Sequence, residues 1–147
     1  MKITVLAVGK CKNTQIHALI SEYIRMISSD ADILIHEIKD SNSVKEAESM
    51  HHYIAKLDQP YVFVLSEEGK KRSSPQFAEE LFSISQYVKH IVFCIGGPGG
   101  FEKPIAFGDD ILSLSSMTMP HEMARLFLIE QIYRAIAIKK GKSYHRQ

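Results

Sequence analysis

Two cysteines in 147 residues, Cys11 and Cys94, are too few for a disulfide framework. Neither stands at zinc-ligand spacing from a histidine. The seven histidines (His17, His36, His51, His52, His90, His121 and His145) form no ligand motif of their own. No metal is expected, and free thiols fit a reducing cytoplasm. Long apolar runs are missing as well: the longest such stretch is broken by Glu130, Gln131 and Arg134, which excludes a membrane span. The opening, Met1-Lys2-Ile3-Thr4-Val5-Leu6-Ala7-Val8-Gly9, has one positive charge and no small-residue cleavage site, so it reads as a first strand and not a signal peptide. The formal net charge is only +1, so the field of the whole protein announces no nucleic-acid partner.

What is present is the composition of one folded domain, 1–147, with 45% hydrophobic and 24% charged residues, enough to bury a core. No repeat, low-complexity tract or linker divides it. Apolar β-branched runs alternate with helical periodicity. Strands are expected at Ile3–Val8, Asp32–Lys39, Tyr61–Ser66, His90–Ile95 and Ile111–Leu114. Between them, Ile16 to Ile27 has the spacing of an amphipathic helix. A second helix opens on a Ser43/Glu46 capping box, a third on Ser74-Pro75, and the last runs from Pro120 or His121 to a stop at Gly141. This order predicts an α/β fold with a mainly parallel sheet flanked by helices.

In such sheets ligands bind beyond the carboxyl ends of the strands. Three segments lie there: Leu65–Gly69, Gly96–Gly100 and Leu114–Met119. Gly96-Gly97-Pro98-Gly99-Gly100 lets the backbone turn and approach a ligand closely, or is a tight turn with no ligand. It is not a dinucleotide or P-loop motif, since Glu102 stands where a glycine is needed and no G-x-x-x-x-G-K-[ST] exists. Leu112–His121 mixes Leu and Met with hydroxyls, suited to clasping an adenine and bonding its edge, or to capping a helix. A serine hydrolase pair with His121 is discounted, because no G-x-S-x-G elbow surrounds Ser115 or Ser116.

Charge is concentrated locally in Lys70-Lys71-Arg72 and in Lys139, Lys140, Lys142 and Arg146. These clusters could contact phosphate, or the last could complement a helix C-terminus. The last helix is apolar nearly all round, from Met123 to Ile138. That calls for cover on both sides, by a second copy in a homodimer or within one chain. Beyond Gly141, the tail Tyr144-His145-Arg146 is expected to reach outward, offering a ring, an imidazole and a guanidinium to a base, or to fray.

Taken in order, the glycine cluster, Leu112–His121, and Arg125-x-x-Leu128-x-Glu130-Gln131-x-Tyr133-Arg134-Ala135 leading to Tyr144-His145-Arg146 resemble one family. With the opening ten residues, Met1 to Lys10, the chain is similar to the SPOUT-class pseudouridine N3-methyltransferases of large-subunit ribosomal RNA. The stretch from about Asp40 to Leu57 is short for that family, and Glu67-Glu68 is more acidic than its pattern.

The resemblance implies a C-terminal trefoil knot, a rare exception to unknotted connections. It also implies S-adenosylmethionine as cofactor, a homodimer, and ribosomal RNA, in the large subunit or the assembled ribosome, as partner. Cofactor contacts carry over to Leu65, Gly96, Leu114, Ser115, Ser116, Met117, Thr118 and Met119. N3 of the target base carries a proton that must leave. His145 is the candidate base, Arg146 the electrostatic partner and Tyr144 the group that stacks on or orients the ring. Arg125 is the alternative cation, with Arg134 and Glu130 structural at the dimer. From a different class, a non-catalytic RNA-binding or ribosome-assembly module could keep the same fold.

Overall fold

The structure, a computed structural model, describes Met1–Arg146 and, of Arg146, the backbone alone. In chain order it contains β1 (Lys2–Val8), α1 (Thr14–Ile27), β2 (Asp32–Ile38), α2 (Ser43–Ile54), β3 (Tyr61–Lys71), α3 (Ser74–Ser85), β4 (His90–Ile95), β5 (Asp110–Ser113), α4 (His121–Lys139) and a closing 3-10 turn, Ser143–Arg146. The strands form one sheet in the order β2-β1-β4-β3-β5, and every pairing is parallel. All five strand exits therefore share one edge.

Strand alternation divides the core into two layers. On one face Ile3, Val5, Phe63, Ile91 and Phe93 pack under α1, α3 and α4. On the other, Leu6, Val8, Val62, Val64, Val92 and Cys94 meet α2 through Met50, Tyr53 and Ile54, and the 101–107 stretch through Phe101, Ile105 and Phe107. Phe63 and Phe93 stack at 5.0 Å on adjacent strands and anchor the first layer.

Two local expectations are corrected. The helix after β2 is capped by Asn42, whose side chain accepts from the Lys45 N–H, and Ser43 is already helical. Asparagine caps as well as serine and stands one residue earlier. Glu46, freed from a capping box, turns inward and is buried. Secondly, β3 does not stop at Ser66. It continues to Lys71 through an irregularity in which Leu65 and Lys70 both face Leu112 of β5.

The last helix is sandwiched inside the chain for most of its circumference. Leu128, Ile129, Ile132, Ala135 and Ile136 are buried, and α4 touches α1, α3, β1 and β4. Its remaining exposed apolar residues are Met123 and Phe127, at 46% and 40% exposure. The helix ends as expected: Gly141 takes φ +67°, its N–H donates to Ile138, and the Lys142 N–H reaches back to Ala137.

Candidate functional site

A cleft of about 620 Å³ opens at the exits of β4 and β5, beside the irregular middle of β3 that begins at Leu65. Leu65, Gly96, Leu114, Ser115, Met117, Thr118 and Met119 all line it, so the three segments chosen from the sequence meet in one place. Ser116, between two lining residues, does not itself face the cavity. The wall is completed by the glycine turn through Gly100, by Phe101 and Lys103, and by Pro120, His121 and Ala124 at the start of α4.

Hydrogen bonds fix the shape of these loops. The Ser113 hydroxyl donates to the carbonyl of Ser115 at 3.0 Å and to that of Glu67 at 3.3 Å, tying the exit of β5 to the irregular middle of β3. The Ser115 hydroxyl accepts from the Met117 N–H at 3.0 Å, turning Met117 outward to 79% exposure over the opening. The glycine turn closes through the Gly100 N–H and the Gly97 carbonyl at 2.9 Å. A Cβ on Gly96 would stand 3.2 Å from both the Gly100 backbone and the Phe101 ring. His121 closes the candidate segment Leu112–His121 and lines the wall, although it was not among the expected cofactor contacts. Its Nδ1 is buried with no hydrogen-bond partner. The available signal was its position as first residue of a helix directly after the hydroxyl-rich loop.

The tail does not reach outward. It folds back as a 3-10 turn, and the Tyr144 hydroxyl bonds both Glu130 and the Tyr23 hydroxyl at 3.0 Å. Arg134 lies 4.9 Å over the Tyr144 ring, which meets Tyr133 edge-on. An amphipathic phenol gains more from this half-buried, hydrogen-bonded seat than from solvent. Burial first, then the bonds to Tyr23 and Glu130, push its pKa well above the ordinary tyrosine value. The His145 carbonyl accepts from Arg134, and its Nδ1 is buried without a partner. The Arg146 side chain, a candidate from the sequence, lies outside the described residues. Tail and cleft are thus not brought together within one chain. Glu130, which holds the tail, is six residues beyond Ala124 on α4, roughly 9 Å along the axis.

A family model described as "Predicted SPOUT methyltransferase" matches residues 1–145. The chain belongs to the SPOUT methyltransferase family. Similar full-length proteins are named "Ribosomal RNA large subunit methyltransferase H". One from Bacillus cytotoxicus is 36% identical, one from Lactobacillus helveticus 35% and one from Bacillus cereus 34%. Each likeness covers 99% of this chain and 100% of the relative. The parallel α/β sheet is the fold expected of this methyltransferase class.

Several of the cations singled out from the sequence are committed to the fold. The Arg72 side chain is buried, pairs with Glu80 and Asp110, and lies 5.8 Å over the Phe63 ring, so it offers nothing to phosphate. Lys140 pairs with Asp30, and Lys139 sits over the Phe82 ring, as suits the end of a helix. Arg125, 2% exposed, donates to Glu37 at 2.9 Å and to the Gly9 carbonyl at 3.2 Å, tying α4 to the exits of β1 and β2. Arg134 and Glu130 form an i,i+4 pair at 2.7 Å. Among the described residues, no three His, Cys, Asp or Glu side chains converge as metal ligands. No helix among them is long and apolar enough to cross a membrane.

Proposed function

We propose that this SPOUT methyltransferase moves a methyl group from S-adenosylmethionine to N3 of a pseudouridine in large-subunit ribosomal RNA. The observation that carries the reading is the cleft. Segments singled out for cofactor chemistry line one cavity, in a chain similar from end to end to proteins named for ribosomal RNA methylation.

The residues present fit the cofactor. The volume is in the range of small-molecule sites. Leu65, Leu114 and Met119 offer apolar surface to an adenine. The glycine turn is a cradle in which a Cβ on Gly96 would meet Gly100 and Phe101 at 3.2 Å, and Ser115 and Thr118 add hydroxyl-bearing residues to the lining. In this reading Leu65, Gly96, Leu114, Ser115, Met117, Thr118 and Met119 hold the cofactor, Ser116 only linking two of them, and the C-terminal part belongs to the trefoil knot of the family. When bound, the cofactor supplies an electrophilic methyl on a sulfonium. Gly96→Val fills the space behind the turn, so its cofactor affinity should fall about ten- to a hundredfold by calorimetry. Equal affinity in both proteins would remove Gly96 from the site.

On the RNA side, His145 takes the N3 proton, Arg146 favours the resulting anion and Tyr144 orients the tail. Tail and cleft are separate within one chain, so a second copy laying its tail across the cleft completes the site. Met123 and Phe127, exposed on α4 beside cleft residue Ala124, are the natural contact for that copy. Light scattering at micromolar concentration should give twice 16.7 kDa. A monomer at that concentration would require the tail to reach the cleft of its own chain. The free thiols Cys11 and Cys94 suit a cytoplasmic setting.

The reading as a whole is tested with labelled cofactor and ribosomes that lack the modification. Label should enter large-subunit RNA at a pseudouridine. Cofactor binding without transfer to any ribosomal substrate would favour the non-catalytic RNA-binding module instead.

A further inference from the structure

Glu46 is the one carboxylate among the described residues that is almost fully buried, at 5% exposure. It takes part in no ion pair among those residues. Its Oε2 accepts a hydrogen bond from the Ser41 N–H at 3.2 Å, and the first turn of α2 adds a partial positive charge. Neither is a full counter-charge, and a buried carboxylate is costly without one. On its other side is the glycine turn. The two Glu46 oxygens lie 3.4 and 3.5 Å from where a Cβ on Gly97 would stand, and Gly97 also lines the cleft. One residue of backbone separates the carboxylate from the cavity.

We propose that Glu46 is a positioning residue that selects the charged methyl donor over its demethylated product, acting through the Gly97 backbone without touching the ligand. The inference rests on the cofactor reading above. S-adenosylmethionine carries a sulfonium, an ammonium and a carboxylate, and is net positive. S-adenosylhomocysteine has lost the sulfonium charge and is net neutral. A fixed charge acting across a backbone layer responds to net charge more than to contacts. For one charge facing a carboxylate across a backbone layer, at an effective dielectric near 20, the preference would amount to about ten- to thirtyfold. The arrangement also explains a glycine at this position, since any Cβ there would come 3.0 Å from Val8 and against the carboxylate. Once the methyl has left, the same carboxylate no longer holds the product, which favours release.

Glu46→Gln keeps the shape and the acceptor for Ser41 while removing the charge. Calorimetry with both ligands should show S-adenosylmethionine weakened about ten- to thirtyfold and S-adenosylhomocysteine nearly unchanged. Equal loss for both ligands overturns the proposal and makes Glu46 a spacer for the turn; no loss for either overturns it too. A second measurement uses the wild type and covers the case in which E46Q does not fold. A cofactor analogue with nitrogen in place of the sulfonium sulfur carries an amine whose pKa can be followed by NMR. Bound beside Glu46, that amine should titrate about one unit above its free value. No rise overturns the proposal. A wild type that binds none of these ligands sinks the cofactor reading itself, a different failure from a lost preference.

Discussion

Deletion of Tyr144–Gln147 is expected to abolish methyl transfer and leave cofactor affinity nearly unchanged. The reason is spatial: the cleft is built wholly from residues up to Ala124, while the tail is seated further along α4 by Glu130, Arg134 and Tyr23. The cofactor site therefore survives truncation, and what is lost is the group that meets the base. Within the tail, His145→Ala should lower turnover by about 10²–10⁴-fold if the imidazole removes the N3 proton. Its Nδ1, buried and unbonded in the folded tail, has no competing protein partner. A loss well under a hundredfold would reduce His145 to a positioning role, and wild-type turnover in the truncated chain would end the tail's part in catalysis. Tyr144→Phe separates the two jobs. It removes the bonds to Glu130 and Tyr23 while keeping the ring, so a drop in turnover at constant cofactor affinity means that the tail must be held.

What the sequence revealed and what it hid divide along the range of the interactions. The parallel sheet was legible from alternating local patterns, and the cleft followed because glycine and hydroxyl chemistry at strand exits is also local. The seat of Tyr144 was not legible, because its partner Tyr23 is 121 residues away. Arg72 read as part of a basic patch. Its burial depends on Glu80 and on Asp110 of β5, which β3 brings alongside only by running on to Lys71. Glu46 was assigned to a capping box by spacing alone, and Asn42 took the cap while Val8 and Gly97 made room for the carboxylate. The last helix shows the same limit. Its apolarity announced cover on both sides, but only the fold shows that α1 and α3 provide most of it, leaving Met123 and Phe127 over.

Arg125 distinguishes a structural cation from a catalytic one. It is nearly as buried as the core, two of its guanidinium nitrogens bond Glu37 and the Gly9 carbonyl while Nε is buried without a partner, and it does not line the cleft. Arg125→Met preserves most of the volume and removes both bonds. Taking one partner from a buried pair costs about 3–5 kcal/mol, but Glu37 is 40% exposed and regains water, so about 2–3 kcal/mol is expected here by chemical denaturation. The difference should depend on pH in a defined direction. Burial alone would raise the Glu37 carboxyl. The hydrogen bond from Arg125, the Cys11 N–H and the Arg125 charge outweigh it, and the pKa lies below the ordinary 4.5. A carboxylate depressed in the folded state contributes stability above its unfolded pKa and loses it as pH falls through the folded value. The gap between wild type and R125M should therefore be constant at neutral pH and narrow below about 4.5. Turnover of the folded fraction at neutral pH should stay near wild type. If turnover collapses while stability does not, Arg125 is the cation that serves the reaction, and Arg146 loses that role.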